Sequence, residues 1–341
     1  MSVQTAARAV WRFNPPVGVL GAAAVCGPKE GNGPLAADMD QVFDDLYLGQ
    51  RTYEQAEQQM QQQACRIALR KAGCDVQQAE LLLSGDLINQ ITPSCFTARA
   101  LQIPYAGLFT ACATIGEAAT LGCIAVAGGA ARRVLIAAGS HTCTAERQYR
   151  YPNEYGCQKP PHSQSTATAC GAALLGDIPA AVGICAATIG VVRDHGVCDP
   201  FNMGAAMAPA FADTLQRHLA ATGSSAADYD LIASGDLGRV GISIARELAA
   251  AQGIRLDDTR FGDCGVSLYG DDPSVFAGGS GCGCAAAVGW GYIYRRLQRG
   301  EWRRVLLIAT GALTSPVAGQ QKESIPAVAH AICLCAKGGE C

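Results

Sequence analysis

The sequence predicts an α/β protein built from two duplicated β-α-β halves. Three observations carry that prediction. Apolar runs of strand length alternate with longer segments of helical period. The phrase Leu82-Leu83-Ser84-Gly85-Asp86-Leu87 returns as Ile232-Ala233-Ser234-Gly235-Asp236-Leu237, each time where a strand ends and a helix follows. Further along, Gly129-Ala130-Ala131-Arg132-Arg133-Val134-Leu135-Ile136 returns as Gly300-Glu301-Trp302-Arg303-Arg304-Val305-Leu306-Leu307. A turn opens the helix before each of these, at Cys112 and at Gly281-Cys282-Gly283-Cys284. Two matches in the same order imply one duplicated unit, dividing the chain into an N-terminal half, 1–178, and a C-terminal half, 179–341.

The elements follow in order. Val17 to Val25 reads as the first strand, because Pro15-Pro16 interrupts the approach to it. Residues 27–48 are a loop region containing Gly and Asp, and Thr52 is placed to cap a helix that runs to about Lys71 and stops at Gly73. Residues 80–84 form a short buried strand, 92–101 a helix and 105–110 another strand. The next helix begins near Cys112 and ends at Gly128-Gly129, and 133–139 returns as a strand. Residues 140–168 show little periodicity and read as a long excursion, which inside a compact domain is usually functional. In the second half a strand ends at Ala233, and the run from Val275 to Gly279 precedes the glycine turn.

Composition narrows the function classes. Of 341 residues 49% are apolar and only 16% charged, which supplies a large core and excludes disorder. So little charge leaves less polar surface than a monomer of this size displays, an early indication of oligomerisation. The net charge of -3 provides no field for holding nucleic acid. The longest apolar runs, such as 17–25 and 124–131, fall short of the ~20 residues a membrane span needs, and the N-terminal stretch does not read as a secretory signal. The seventeen cysteines contain no CxxC pair and no accompanying His spacing, so they read as small core residues in a reducing compartment, with no zinc site and no disulfide framework.

Three motifs carry chemistry. Cys112 lies at the start of a helix, where unpaired N–H groups and the positive end of the dipole lower a thiol pKa and suit a nucleophile. The alternative is core filler, as for the other cysteines. Gly281-Cys282-Gly283-Cys284-Ala285-Ala286 loosely fits a dinucleotide fingerprint, but a glycine turn that lets backbone approach a buried site explains it better. The stretch from Ser140 to Pro160 gathers Arg147, Arg150, Lys159, Tyr149, Tyr151 and Tyr155. It reads either as an anion-recognising lid or as a solvated or dimer-contact loop.

The duplicated halves, with a cysteine opening the first long helix, resemble the thiolase and ketoacyl synthase superfamily. Within it, several phrases resemble the stage V sporulation protein AD family of spore-forming Firmicutes: Gly27-Pro28-Lys29-Glu30-Gly31, Ser84-Gly85-Asp86-Leu87-Ile88-Asn89-Gln90, Ala145-Glu146-Arg147-Gln148-Tyr149-Arg150-Tyr151-Pro152, Asn202-Met203-Gly204-Ala205-Ala206-Met207-Ala208-Pro209-Ala210 and Gly278-Gly279-Ser280-Gly281-Cys282-Gly283-Cys284. The resemblance spans nearly the whole chain. It implies a five-layered α-β-α-β-α fold and a homodimer. It also implies a role in moving dipicolinic acid (pyridine-2,6-dicarboxylate) into the developing spore, as a cytoplasmic ligand-binding component held peripherally at the spore inner membrane by membrane-embedded SpoVA-type channel proteins.

Ketoacyl synthases of type III place a His after the second-half strand and an Asn in the late glycine turn. Aligned on those phrases, the His position falls on Gly235 and the Asn position on Cys282. Loss of both implies a binding protein without catalysis or cofactor; the alternative is an acyltransferase or condensing enzyme using Cys112, with His141 or His330 as a replacement base, and a third reading is a structural adaptor. A planar dianion needs N–H donors, cations and a flat slot. The ligand-binding residues expected on this reading are Cys112, Asp86, Asn89, His141, Arg147, Asn202, Gly279, Ser280 and Cys282. Asp86 suits an anion only if calcium accompanying the ligand bridges it, or if its carboxylate is turned towards Asn89 or backbone donors.

Overall fold

The apolar runs become strands covered on both faces, which is why they lack polar alternation. A computed structural model describes residues 1–149 and 159–337. In the first half, β1 (Ser2–Ala7) folds back on β2 (Val10–Cys26), and β3 (Gln41–Val42) pairs with the end of β2. There follow α1 (Tyr53–Lys71), β4 (Leu81–Gly85), α2 (Thr92–Leu101), β5 (Tyr105–Gly107), α3 (Thr114–Ala127), β6 (Arg133–Ser140), α4 (Thr142–Tyr149), β7 (Ser165–Thr166) and β8 (Ala169–Gly176). The second half contains β9 (Val182–Thr188), α5 (Met203–Thr222), β10 (Leu231–Ser234), α6 (Gly238–Ala251), β11 (Phe261–Asp263), α7 (Cys264–Tyr269) and β12 (Gly279–Ser280). Next, α8 (Cys282–Ala287) continues through a π-helical stretch (Val288–Ile293) into α9 (Tyr294–Gln298), followed by β13 (Arg304–Ala312), α10 (Pro316–Gln320) and β14 (Ala327–Ala336).

Both repeats lie on matching strands. The order β5-β4-β6-β8-β2 in the first half has the same pattern as β11-β10-β13-β14-β9 in the second, and β2 pairs with β9 to join the two. In each half the Ser-Gly-Asp strand is parallel to its Arg-Val-Leu partner, with Leu82 opposite Leu135 and Ile232 opposite Leu306.

Three apolar cores define the layers. Met60, Leu69 and Leu101 of α1 and α2 cover one face of the first sheet, against Leu82, Leu135 and Leu174. Phe211, Leu215 and Ala245 of α5 and α6 cover the outer face of the second, against Ile232, Leu306 and Ile308. Between the sheets lie α3 and the α8–α9 helix, with Ile115, Cys123, Trp290 and Ile293 packed on Val134, Ile136, Leu307 and Ile332. This is the five-layered arrangement expected, with two sheets enclosing a central helical layer.

Several local expectations need correction. Pro15-Pro16 do not end a strand: the register shifts between Arg12 and Val17, so the prolines occupy an irregularity in a continuous β2 where ladder donors are not required. The 105–110 strand stops at Gly107, and the run from Val275 to Gly279 starts at the end of a 3-10 turn (Pro273–Val275) and leads into the two-residue β12. The 140–168 excursion contains a helix. α4 is held by tertiary contacts that periodicity does not reveal, because Thr144 Oγ1 donates to Glu57 Oε2 of α1 (2.7 Å), while Gln148 Nε2 and Tyr149 Oη donate to Leu87 O (3.1 and 2.7 Å). Arg150, Tyr151 and Tyr155 of the expected lid lie outside the described residues.

Candidate functional site

The ends of β4, β10 and β13 and the starts of α3 and α8 meet between the two sheets. Ala111 sits at φ +50°, in the left-handed region, and this turn delivers Cys112 into the central layer at the head of α3. Cys112 is only 6% exposed. Its thiol lies close enough to the carboxyl group of Asp236, the residue after Gly235 in the repeated phrase, for the charge of Asp236 to raise its pKa.

Asp236 organises the site. Gly281 N (2.9 Å), Thr310 Oγ1 (2.8 Å) and Ser280 Oγ (3.3 Å) all donate to its side chain, drawing the glycine turn and β13 together. Gln164 Nε2 donates to Asp236 O (2.7 Å) and Gly279 O (2.8 Å), so β12 is tied to the same point. Cys282 Sγ donates to Ala111 O at 3.0 Å, and Gly283 N donates to Ser140 Oγ at 3.1 Å. Tyr149, at the end of α4, packs against this core near the two thiols, whose charge and that of Asp86 raise its pKa in addition to the larger effect of burial.

Electrostatics reverse one expectation. The helix start was expected to favour the Cys112 thiolate, yet burial pushes the thiol well above its ordinary value, and the charge of Asp236 and then of Cys282 push it further. Desolvation of a buried anion outweighs the partial charge of a helix end. Burial likewise raises Cys282, and it raises Asp236 to about 7 despite three stabilising hydrogen bonds. Iodoacetamide at mildly alkaline pH should therefore label exposed Cys95 and Cys198 well before Cys112 in the folded protein. Peptide mapping that found Cys112 labelled first would contradict this.

The expected ligand residues divide. Cys112, Gly279, Ser280 and Cys282 come together around Asp236. Asp86 is buried close by, and its charge raises the Cys282 thiol. Its carboxylate, however, accepts from Ile88 N (2.8 Å), Ser94 N (2.9 Å) and Ser94 Oγ (2.6 Å), so it faces backbone and serine donors, not Asn89. The other four are elsewhere. Asn89 is exposed, with its N–H donating to Gln148 Oε1 (2.8 Å), and Asn202 caps α5 by accepting from Ala205 N. Arg147 is exposed and pairs with Glu54 of α1. His141 is buried and neutral: Nε2 donates to Leu46 O (2.8 Å), Nδ1 accepts from Cys143 N (3.1 Å), and burial lowers its pKa. The His141 ring thus faces a carbonyl and Arg147 is paired at the surface, so neither is directed at Asp236.

Sequence reasoning identified the Ser-Gly-Asp repeat but did not put Asp236 in the site. The repeat was the available cue. Gly235, the position matched to the superfamily His, has no room for a side chain: a Cβ there would lie 2.8 Å from Thr310 N and 3.1 Å from Thr310 Oγ1. His330 has its Nδ1 accepting from Gly190 N (3.1 Å), and burial lowers its pKa to about 4. Among the described residues no group of three or more His, Cys, Asp or Glu is placed to hold a metal ion, and no helix is long and apolar enough to cross a membrane.

Comparison with known proteins bears on the fold and the family. Solved structures of 3-oxoacyl-[acyl-carrier-protein] synthase III from Aquifex aeolicus and Pseudomonas aeruginosa share the fold, each with a TM-score of 0.59 at 11% and 13% identity. They align over 94% and 96% of this chain and 99% and 100% of theirs. Xanthomonas campestris OleA aligns at a TM-score of 0.57 and 13% identity, over 93% of this chain and 99% of its own. In sequence, the Bacillus subtilis (strain 168) protein named Stage V sporulation protein AD is 44% identical over 329 residues, 96% of this chain and 97% of that one. Residues 7–335 match the family described as Stage V sporulation protein AD (SpoVAD). With a thiolase-type fold and that match along almost its entire length, the chain belongs to the stage V sporulation protein AD family.

Proposed function

We propose that this protein binds dipicolinic acid without catalysis, in a cleft inherited from a condensing enzyme, and supports its uptake into the developing spore beside membrane-embedded SpoVA-type channel proteins. The observation that carries the proposal is the buried Asp236 carboxyl group, raised by burial to about 7, at the meeting point of the glycine turn, β13 and the Cys112 turn. Supporting it, Gly235, which the sequence matches to the superfamily His, is closed in by Thr310, Cys282 stands where the sequence matches the Asn, and burial favours the thiol form of Cys112. Without a base and an oxyanion donor, condensation loses contributions of several kcal/mol. What remains suits recognition: a carboxyl group poised at about 7 that donates a hydrogen bond when protonated, a glycine turn for close approach, and the Tyr149 ring at the margin. A neutral acid can face a dicarboxylate where an ionised one would repel it.

The same proposal includes a homodimer and peripheral attachment to the spore inner membrane through partners. β5, at the outer end of the first sheet, pairs with β4 on one side, leaves Ala106 and Gly107 exposed and lies near exposed Phe96 and Phe109, a strand edge suited to a second copy. Calcium accompanying the ligand is part of the proposal only as a condition to vary, since Asp86 is already satisfied by Ser94 and Ile88.

One observation favours the alternative, acyl transfer on Cys112: the thiol lies within electrostatic reach of an acid whose pKa is raised to about 7. Against it, that same acid disfavours the thiolate. Two measurements on the purified protein separate the readings. Calorimetry should show saturable dipicolinate binding, with or without calcium, and mass spectrometry after incubation with acyl-CoA donors should show no adduct on Cys112. Absence of binding together with a turned-over adduct reverses the conclusion.

A further inference from the structure

A second thiol cluster lies outside the site, under α5 in the other half of the molecule. β9 pairs with β14 antiparallel, with Cys333 opposite Ala186 and Leu334 opposite Ile184, so Cys185 is the extra residue of a bulge. The bulge turns Cys185 to the same face as Ala186, Cys333 and Cys335, all of which pack in the α5 core. Its sulfur lies 3.4 Å from that of Cys333. Without the extra residue, regular alternation would direct Cys185 to the opposite face.

The cation beside the pair is Arg304, half-buried at the start of β13. Its Nε donates to Cys333 Sγ at 3.3 Å. The guanidinium stacks on the Tyr229 ring, 4.7 Å from its centroid, and its Nη2 reaches Tyr229 Oη at 3.5 Å. Tyr229 is itself fixed by Ser224 Oγ at 3.1 Å. Elsewhere arginines such as Arg239 and Arg295 pair with carboxylates, whereas this one is directed at sulfur. A guanidinium in contact with a thiol favours the thiolate, the nucleophilic form.

We propose that Cys185 and Cys333 form a reversible modification site, at which a peroxide converts the dithiol to a disulfide and Arg304 holds the reacting thiolate. The Cys333 thiolate attacks one peroxide oxygen, forming an S–O bond as the O–O bond breaks; the departing hydroxide takes a proton and leaves as water. The Cys185 sulfur then attacks the resulting sulfenic acid, forming the S–S bond as the S–O bond breaks. The second hydroxide takes the Cys185 proton and leaves as water. Two thiols lose two electrons to one peroxide, and a thiol reductant restores them. Closing the sulfur separation to the ~2.05 Å of a disulfide needs an approach of about 1.4 Å.

The test uses the folded, full-length protein. It is exposed to limiting hydrogen peroxide, remaining thiols are blocked with N-ethylmaleimide, and linked peptides are sequenced by fragmentation to distinguish Cys333 from Cys335 and Cys185 from Cys170. Cys185–Cys333 should be the first link formed and should disappear with dithiothreitol. Arg304→Gln should slow its formation about tenfold below the thiol pKa and make the rate rise with pH, while Arg304→Lys recovers part of it. Oxidation of exposed Cys95 or Cys198 to completion with no Cys185–Cys333 link in the wild type would overturn the proposal, whatever the variants do. An unchanged rate in a folded Arg304→Gln protein would overturn the role given to the arginine.

Discussion

Asp236→Asn should flatten a fall in stability that the wild-type protein shows between about pH 4 and pH 7. Burial raises the Asp236 carboxyl from its ordinary 3.8 to about 7. The folded state therefore keeps a proton that the unfolded chain releases. Stability from this group is fully present below 3.8, declines as pH rises, and is lost once pH passes the folded value of about 7. At 1.36 kcal/mol per pH unit the change is on the order of 4 kcal/mol. Asparagine cannot ionise, can still accept from Gly281 N and can donate to Thr310 Oγ1, so the variant should unfold at nearly constant denaturant concentration over that range as far as this group is concerned. Burial raises Glu57, Asp86 and Glu30 in the same direction, so some slope persists. Equal slopes in variant and wild type would show that Asp236 ionises freely in the fold.

Gly235→His should not confer acyl transfer; it should cost the fold. The 2.8 Å approach of a Cβ to Thr310 N is to backbone of the neighbouring strand, which cannot rotate away. Even Gly235→Ala should lose about 3 kcal/mol, at the upper end of overpacking costs. Its counterpart Gly85 faces Leu108 backbone oxygen at still closer range, so Gly85→Ala should be the more damaging of the two. Chemical denaturation measures both. A stable Gly235→His protein with acyl-transfer activity would contradict the view that the condensing chemistry has been closed off sterically.

These two glycines show what was legible in the sequence. The repeat located β4 and β10 because local patterning and tight approach leave a local trace: a buried apolar run, then a glycine. It could not reveal the partners of Asp236, because Gly281 and Thr310 reach it through chain crossings of 45 and 74 residues. Cys112 failed in the opposite way. A local rule, the helix dipole, was correct in direction but was outweighed by burial in the central layer, which depends on both sheets. Charge alone points to His141 and Arg147, and the fold turns one to Leu46 and the other to Glu54. α4 leaves no periodic trace in the sequence because it is held by docking on α1 and on Leu87, not by its own pattern.

In the proposed function a protonated Asp236 receives a dicarboxylate. That predicts linkage: at a pH about one unit above the free-state value, dipicolinate binding should draw a proton onto the protein. Calorimetric titration in buffers of different ionisation enthalpy counts that proton. The wild type should take up close to one proton per bound ligand, with affinity falling as pH rises past 7, and Asp236→Asn should bind with no uptake and little pH dependence. No saturable binding in either protein, or identical proton uptake in both, would contradict it.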